Sequence, residues 1–283
     1  MNPSRGTVVV TGATGLFAPF AIDAARLMGE VASTSRSGGD FRCDLTNLDQ
    51  VEKLMWEVKP TVVIHGAAMT DVDGCERAPE AAILANDQAT RNIAARLKDR
   101  ARMVYVSTDQ VYPDSPGPHK EGDEAPVNAY GRSKLAPENA VTQTPGGIVA
   151  RTSFFCASRT PGRRSLSDFV SDNLSIGETI TLFTDIRFSP LHAQTLAQLL
   201  IEMLQKPVAG VFNVASRAGT TKANFGLEIA RHLGLQTGTA TLSTSAAVPG
   251  RAPRISDLRM DPGKLEQALG HPMPELSAEI AKL

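Results

Sequence analysis

Tyr130 and Lys134 are candidates for proton transfer, because they stand four positions apart in the segment YGRSK. Residues i and i+4 share one face of a helix, so the Lys134 ammonium would lie near the Tyr130 phenol. A tyrosine has an ordinary pKa of about 10, and a nearby cation favours its phenolate and brings proton transfer toward neutral pH. Thr108, in a Ser-Thr-Asp segment, could donate a hydrogen bond to a carbonyl group that Tyr130 protonates. The three residues together predict carbonyl chemistry.

The segment 12–18 reads GATGLFA and has the spacing of a dinucleotide-binding fingerprint, with Ala18 in the third glycine position. Gly12 would permit the tight turn, Gly15 would let the backbone approach a pyrophosphate, and Ala18 would let the next helix pack closely on the sheet. The N-terminus of that helix would face the phosphates. A glycine motif also occurs in purely structural turns, but its position between a buried strand and a helix favours dinucleotide binding.

Residues about 20 positions beyond the fingerprint indicate which nicotinamide dinucleotide binds. An acidic residue there would bind the ribose 2′-hydroxyl of NAD(H), whereas an arginine accommodates the 2′-phosphate of NADP(H). The segment 33–37 reads STSRS and contains Ser35 and Arg36, and no acidic residue follows until Asp40. NADP(H) is therefore favoured over NAD(H), with a merely solvated Arg36 as the alternative.

Runs of β-branched residues alternate with helical stretches along the first half of the chain. We predict strands at 7–11, 31–35, 61–65, 103–107 and 147–151, and helices at 16–28, 47–58, 79–98 and 129–141. This alternation indicates βαβ units, and hence an α/β fold with a doubly wound, Rossmann-like parallel sheet. Ligands of such sheets bind beyond the carboxyl ends of the strands, where the fingerprint and Thr108 would both lie.

The regular alternation ends near residue 151, which predicts two domains. Residues 1–152 would bind the dinucleotide, and residues 153–283 would form a smaller, discontinuous C-terminal substrate-binding lobe, with the segment around 208–216 returning to the main sheet. The polar segment 158–167 carries Arg159, Arg163 and Arg164. We interpret it as a solvated loop, with closure over an anionic ligand as the alternative. Trp56 and Cys75 are expected to be buried by packing.

Composition excludes several classes of function. The 283 residues include 29 Lys+Arg and 30 Asp+Glu, a net charge of −1, so the chain lacks the basic excess that nucleic acid or an anionic membrane would require. Three cysteines are too few for a disulfide framework, which favours a cytoplasmic protein. The uncharged run 7–22 is too short for a membrane span and is interrupted by Pro19, so no such span is expected. The five histidines show no metal-ligand spacing, so no metal site is predicted.

The fingerprint, the Ser-Thr-Asp segment and the Tyr130 motif together resemble those of extended short-chain dehydrogenases/reductases. Nearly the whole chain is similar to the dTDP-4-dehydrorhamnose reductase family of sugar-nucleotide ketoreductases, with further matches at 65–73, 120–121, 151–153 and 251–265. The resemblance implies that Thr108, Tyr130 and Lys134 are catalytic. It also implies a set of cofactor-binding residues: Gly12, Thr14, Gly15, Leu16, Phe17, Ser35, Arg36, Asp44, Leu45, Ala67, Ala68, Asn86, Ser107, Tyr130 and Lys134.

A second set of residues is expected on the substrate side. Charge and position alone suggest that Arg187, Arg251 and Arg254 meet the substrate diphosphate. Phe154 stands where the family usually has a tryptophan, and Gln110 where it usually has an aromatic residue, so the resemblance implies ketoreduction without specifying the sugar. The residues expected to contact substrate are Val72, Thr108, Asp109, Gln110, Phe154, Arg187, Arg251 and Arg254.

The activity implied by the resemblance is NADPH-dependent reduction of the ring ketone of a nucleotide-activated 4-keto-6-deoxysugar. Two alternatives stay open. One is a sugar-nucleotide epimerase, or a reductase of another carbonyl, on the same scaffold. The other is a non-catalytic, dinucleotide-binding regulatory subunit. The expected partner is a nucleotide-sugar substrate, with no nucleic acid and no membrane, and a homodimer is the assembly that the sequence leaves open.

Overall fold

A parallel β-sheet forms the centre of the protein. The computed structural model describes residues 6–97, 101–247 and 250–283. In chain order the strands are β1 (Gly6–Thr11), β2 (Gly29–Ser35), β3 (Phe41–Arg42), β4 (Val62–His65), β5 (Arg102–Thr108), β6 (Ile148–Thr152), β7 (Phe154–Phe155), β8 (Ile180–Phe183), β9 (Arg187–Phe188), β10 (Leu191–His192), β11 (Gly210–Asn213), β12 (Thr220–Thr221), β13 (Ala240–Ser243) and β14 (Asp257–Leu258).

Helices cover both faces of that sheet and, with several small sheets, build the rest of the molecule. In chain order the α-helices are α1 (Ala18–Ala25), α2 (Leu48–Val58), α3 (Val72–Arg77), α4 (Pro79–Ala82), α5 (Ala89–Leu97), α6 (Ala129–Leu135), α7 (Glu138–Thr142), α8 (Leu166–Ser175), α9 (Ala193–Gln205), α10 (Lys222–His232), α11 (Gly263–Leu269) and α12 (Leu276–Ile280). A π-helical segment, Ile83–Gln88, joins α4 to α5.

The main sheet has the strand order β3-β2-β1-β4-β5-β6-β11. Every adjacent pair in it runs parallel. The chain moves outward from β1 to β3 and then returns to the other side of β1 with β4. This reversal creates a switch point at the carboxyl ends of β1 and β4, where doubly wound sheets bind their ligands. The predicted α/β class with a Rossmann-like sheet is confirmed.

Neighbouring residues of β1 enter two different cores. Val8 and Val10 pack with Phe20 of α1 and Leu200 of α9. Val9 points to the opposite face and packs with residues of α2 and α5, because side chains alternate along a strand. Since helices cover both faces, these strands are continuous apolar runs rather than alternating ones.

A separate apolar cluster lies among the residues that follow β6. It includes Phe155, Leu182, Phe188 and Phe225, and it is surrounded by the small sheets β12-β9-β14 and β13-β8. Within the same part of the chain, α9 packs on the main sheet and β11 pairs with β6 at its edge. Residues after 152 therefore contribute both to the main sheet and to this separate cluster, which together with its small sheets is here called the second body. The boundary between 152 and 153 stays a prediction.

Three predicted helices differ from those observed. The single helix predicted at 129–141 is wrong, because Pro137 stands between α6 and α7 and has no backbone N–H to continue the helix. The helix predicted at 79–98 contains a π-helical segment, and its expected last residue, Lys98, lies outside the described residues. The helix predicted at 16–28 is shorter, since α1 covers only Ala18–Ala25.

Two expectations about packing have opposite outcomes. Cys75 is fully buried, as expected. The prediction that Trp56 packs in the core is wrong, because its side chain lies on the outer face of α2 and is 73% exposed. In the described ranges, no helix is long and apolar enough to cross a bilayer.

Candidate active site

A cleft of about 650 Å³ lies at the carboxyl ends of the central strands. The turn after β1, the segment after β4, the end of β5 and one face of α6 all contribute to its wall. Every residue predicted to bind the cofactor lines this cleft except Asn86. Thr108, Asp109 and Phe154, which were expected to contact substrate, line it as well.

The fingerprint turn is held by backbone contacts. The N–H groups of Gly12 and Ala13 both donate to the carbonyl oxygen of Thr34, at 2.9 and 3.1 Å, and the Gly15 N–H donates to the Gly12 carbonyl oxygen at 2.8 Å. Gly12 has a φ of +81°, and a Cβ atom there would lie 2.9 Å from the backbone nitrogen of Ala67. Only glycine suits this position, so the residues present fit the tight turn with which a dinucleotide-binding fingerprint begins.

The turn after β2 contributes a positively charged side chain to the cleft, and the carboxylate that follows it is already hydrogen-bonded within the protein. Arg36 is exposed and lines the cleft. The Ser35 hydroxyl shapes the turn by donating to the Gly38 carbonyl oxygen at 2.9 Å. Asp40 is exposed, but its Oδ2 is engaged by Ser33, since it accepts from the backbone N–H and the hydroxyl of that residue at 2.9 and 2.8 Å. These hydrogen bonds, led by the backbone N–H of Ser33, lower the pKa of Asp40.

The segment after β4 is supported by a buried polar chain. The Ala67 N–H donates to Thr11 Oγ1 at 3.2 Å, and Thr11 Oγ1 lies 2.7 Å from His65 Nδ1. The second ring nitrogen of His65 lies 2.9 Å from Thr90 Oγ1. Burial lowers the pKa of His65 to about 3, with a smaller contribution from the Lys134 charge. His65 is therefore a neutral residue that supports the wall.

Asn86 lies behind the wall of the cleft and is fully buried. Its Oδ1 accepts from the Met69 N–H at 2.8 Å, and its Nδ2 donates to the Met69 carbonyl oxygen at 3.0 Å and to Ser133 Oγ at 2.8 Å. Met69 itself lines the cleft. Asn86 therefore fixes the backbone of a lining residue and ties it to α6.

Tyr130 lies in the first turn of α6, close to the end of β5. The Asn128 side chain caps this helix by accepting from the Gly131 N–H at 2.8 Å, and a Cβ atom on Gly131 would lie 2.1 Å from the Gln110 carbonyl oxygen. Burial raises the pKa of Tyr130, while the Thr108 hydroxyl lowers it. The lowered pKa expected from the sequence is wrong for the free protein, because burial outweighs the other contributions.

Lys134 is buried one helical turn beyond Tyr130. Its Nζ donates to the Val106 carbonyl oxygen at 2.8 Å and lies 4.1 Å from the centre of the Tyr105 ring. Burial lowers the pKa of Lys134 to about 7, against an opposing contribution from Glu138. The lysine is therefore poised to change its charge near neutral pH.

Asp109 is a buried carboxylate next to Thr108. Its Oδ1 accepts from the Thr108 hydroxyl at 3.1 Å. Burial raises its pKa to about 6, whereas Thr108 and the charge of Lys222 act in the opposite direction. Lys222 is half-buried at the start of α10, so the second body brings a cation close to the end of β5.

A buried ion pair supports the cleft from below. Arg151 Nη2 lies 2.6 Å from Glu138 Oε2, and the Ser107 hydroxyl donates to Glu138 Oε1 at 2.6 Å. Arg151 also donates to the Tyr112 hydroxyl at 3.1 Å. This network joins β5, β6 and α7, and it fixes the strand end that carries Thr108.

The remaining substrate-side residues do not line the cleft. Gln110 Oε1 accepts from Asn128 Nδ2 at 3.1 Å, and Arg187 is exposed on β9. Arg254 Nη2 lies 2.8 Å from Asp73 Oδ2, next to Val72 at the start of α3. Arg251 is exposed, with its guanidinium 5.3 Å from the Phe183 ring centre. The expected substrate roles of these residues stay predictions.

Two cations near the cleft were not assigned a site from the sequence. Arg163 lines the cleft, whereas the sequence favours a solvated loop for its segment and offers closure over an anionic ligand only as the alternative. Lys222 is close enough to Asp109 to influence its pKa. Neither residue belongs to a local motif, so only the folded chain reveals its position. Across the described residues, no group of three His, Cys, Asp or Glu side chains could hold a metal ion.

Comparisons with known proteins agree with this geometry. The probable low-salt glycan biosynthesis reductase Agl14 of Haloferax volcanii is 36% identical, over 97% of this chain and 96% of that protein. The probable dTDP-4,6-dihydroxy-2-methyloxan-3-one 4-ketoreductase of Streptomyces antibioticus is 31% identical, over 87% of this chain and 83% of that protein.

A solved structure and a family model also match nearly the whole chain. The structure of a dTDP-4-dehydrorhamnose reductase from Clostridium acetobutylicum has a TM-score of 0.88 and 26% identity, and the match covers 98% of this chain and 97% of that one. The family model described as the RmlD substrate binding domain matches residues 6–283. The chain therefore belongs to the dTDP-4-dehydrorhamnose reductase family.

Proposed function

We propose that this protein catalyses the NADPH-dependent reduction of the ring ketone of a nucleotide-activated 4-keto-6-deoxysugar. The observation that carries this proposal is that the fingerprint turn and the Thr108, Tyr130 and Lys134 side chains line one continuous cleft. A dinucleotide on the turn would therefore extend toward the group that donates the proton. The reductase names of the relatives support the same chemistry.

The turn after β2 supports NADP(H) in preference to NAD(H). Arg36 offers an exposed guanidinium to the cleft, and a guanidinium pairs well with the oxygens of a phosphate. Asp40, the nearby acid that could accept from a ribose 2′-hydroxyl, is occupied by Ser33. The fingerprint turn would hold the pyrophosphate, and Asp44 and Leu45 would border the adenine.

When bound in the cleft, NADPH would supply a hydride to the carbonyl carbon of the substrate. Tyr130 donates its phenolic proton to the carbonyl oxygen, so that an alcohol forms. A pKa raised by burial keeps Tyr130 protonated before the reaction, which is the state that a general acid requires. Thr108 orients the carbonyl oxygen, and Lys134 would bind the nicotinamide ribose and stabilise the phenolate that remains.

Cations from the second body support binding of the substrate diphosphate. Arg254 Nη1 is buried and has no hydrogen-bond partner among the described residues, which leaves a donor for an anionic ligand. Burial lowers the pKa of Lys222, and the charges of Arg251 and Arg254 lower it further. Burial likewise lowers the pKa of Arg254, with a further contribution from the Arg251 charge. Phe154, whose ring centre lies 5.4 Å from that of Phe17, would border the sugar.

The proposal is tested by following NADPH oxidation with a panel of nucleotide 4-ketosugars, in the wild type and in Tyr130→Phe. Loss of the general acid should lower kcat about 10²–10⁴-fold, while the Kd for NADPH stays close to that of the wild type. Absence of turnover with every ketosugar, in a protein that binds NADPH, would contradict the proposal and favour the regulatory alternative.

A further inference from the structure

The loop formed by residues 158–165, here called the arginine loop, is tied down at both of its ends. The Ser158 N–H donates to Asp168 Oδ1 at 3.0 Å, and the Ser165 N–H donates to Asp168 Oδ2 at 2.7 Å. One carboxylate of α8 therefore closes the base of the loop. Ser165 also caps α8, since its hydroxyl accepts from the Asp168 N–H. The base is thus a built structure rather than a loose connection.

The tip of the arginine loop contacts the fingerprint turn. Thr160 Oγ1 donates to the Gly15 carbonyl oxygen at 3.0 Å, across a sequence separation of 145 residues. The Arg163 N–H donates to the Thr160 carbonyl oxygen at 3.1 Å, which closes a tight turn with Gly162 at a φ of +72°. Arg163 is therefore connected to the backbone of Gly15 through two hydrogen bonds, one within the turn 160–163 and one from Thr160 to Gly15.

The three arginines of the loop have different surroundings. Arg159 Nη1 lies 2.8 Å from Asp23 Oδ2, and Arg164 Nη2 lies 3.0 Å from Asp172 Oδ2. Arg163 lines the cleft, and no carboxylate of the described residues lies within 4.0 Å of its guanidinium. The loop thus directs two arginines to acidic partners on the protein and one to the cleft.

We propose that Arg163 binds the pyrophosphate of the dinucleotide, and that the arginine loop clamps the cofactor against the fingerprint turn. The inference rests on the proposed function, because it requires a dinucleotide in this cleft. The pyrophosphate of a bound dinucleotide lies over the turn that Thr160 contacts. A guanidinium can donate two parallel hydrogen bonds to phosphate oxygens. Arg36 and Arg163 then serve different groups, the first the 2′-phosphate and the second the pyrophosphate.

The test measures Kd for NADPH, NADH and ADP-ribose, which all contain the pyrophosphate, by calorimetry on the full chain. Arg163→Gln should raise all three Kd values by a similar factor, roughly 10-fold, the size expected for a lost charge-assisted hydrogen bond. Arg164→Gln is the matched control, because its side chain pairs with Asp172, and its Kd values should stay within about twofold of the wild type.

Two results would overturn the clamp. Unchanged Kd values in Arg163→Gln would show a solvated side chain, and a loss confined to NADPH would assign Arg163 to the 2′-phosphate. Either result would leave the proposed function intact if the wild type binds and oxidises NADPH. A wild type that binds none of the three ligands would overturn the proposed function and the clamp together.

The tether gives an independent test, in which Thr160 is a positioning residue. Thr160→Val removes the hydrogen bond to Gly15 and should weaken NADPH and NADH equally, by about 3- to 10-fold. Thr160→Ser keeps the hydroxyl and should restore wild-type Kd values. Equal Kd values for NADPH and NADH in the wild type, Thr160→Val and Thr160→Ser would show that the hydrogen bond from Thr160 to Gly15 does not contribute to the clamp.

Discussion

Tyr130 and Lys134 respond to burial in opposite ways. The phenol becomes harder to deprotonate, whereas the pKa of the ammonium falls to about 7. Before the reaction, Tyr130 therefore keeps its proton. Lys134 can lose its own proton near neutral pH at a small cost in free energy. A phenolate that forms during the reaction would be a partner for a charged Lys134, because opposite charges in a low-dielectric site stabilise each other. In the proposed mechanism, the pair is therefore stabilised more after proton transfer than in the free protein.

Arg36 is the residue that we propose determines cofactor choice. Arg36→Ala should raise the Kd for NADPH about 10-fold and leave that for NADH nearly unchanged, because only NADPH carries the 2′-phosphate. Titration of both cofactors by fluorescence measures the two values. Lys53→Ala, on the exposed face of α2, is a control that should affect neither. Equal losses for both cofactors would contradict the 2′-phosphate assignment.

Among the elements, the junction of β5, β6 and α7 depends on one buried ion pair. Glu138→Gln removes the charge that balances Arg151, whose side chain is only 2% exposed. The free energy of unfolding should fall by about 3–5 kcal/mol, because an uncompensated guanidinium stays buried. Urea denaturation measures the change.

The control for this prediction is Glu124→Gln. Glu124 also lies near Arg151, with 3.3 Å between Nη1 and Oε2, but its side chain is 35% exposed. Its loss should cost less than about 1 kcal/mol. Similar losses of stability in the two variants would show that the Glu138 pair is not the main support of this junction.

The elements also show what the sequence can and cannot predict. The central strands were predictable because burial on both faces makes them continuous apolar runs, as in β4. The sequence contains Pro137, which can interrupt a helix. The residue at which α6 ends also depends on how this helix packs against the end of β5. The contact of Thr160 with Gly15 joins residues far apart in the chain. No local pattern encodes such a contact, so the sequence offers closure of this loop over an anionic ligand only as an alternative and does not single out Arg163.

Over the whole molecule, a net charge of −1 conceals a local concentration of cations. The main sheet and the second body supply them from different parts of the chain, and folding brings them to the cleft or its border. A few such groups suffice for a small phosphorylated ligand, because a cleft with low-dielectric walls strengthens their field. The cations in question are Arg36, Lys134, Arg163, Lys222, Arg251 and Arg254.

This division of cations predicts that nucleotide and cofactor stabilise the protein through different residues. A ligand that binds only the folded state at 100 times its Kd adds about 2.7 kcal/mol to the free energy of unfolding, so NADPH and dTDP should each raise Tm. Arg254→Gln should reduce the shift caused by dTDP and preserve that caused by NADPH, because Arg254, whose Nη1 is buried without a partner among the described residues, is proposed to meet the substrate diphosphate and not the cofactor.

Thermal unfolding with each ligand measures both shifts, and the effect of dTDP should weaken as salt screens the charges. Arg231→Gln, at the exposed far end of α10 from Lys222, controls for a general loss of positive charge. If dTDP raised Tm equally in the wild type and in Arg254→Gln, the diphosphate would have to bind elsewhere. The second body would then shape the pocket for the sugar without holding its phosphates.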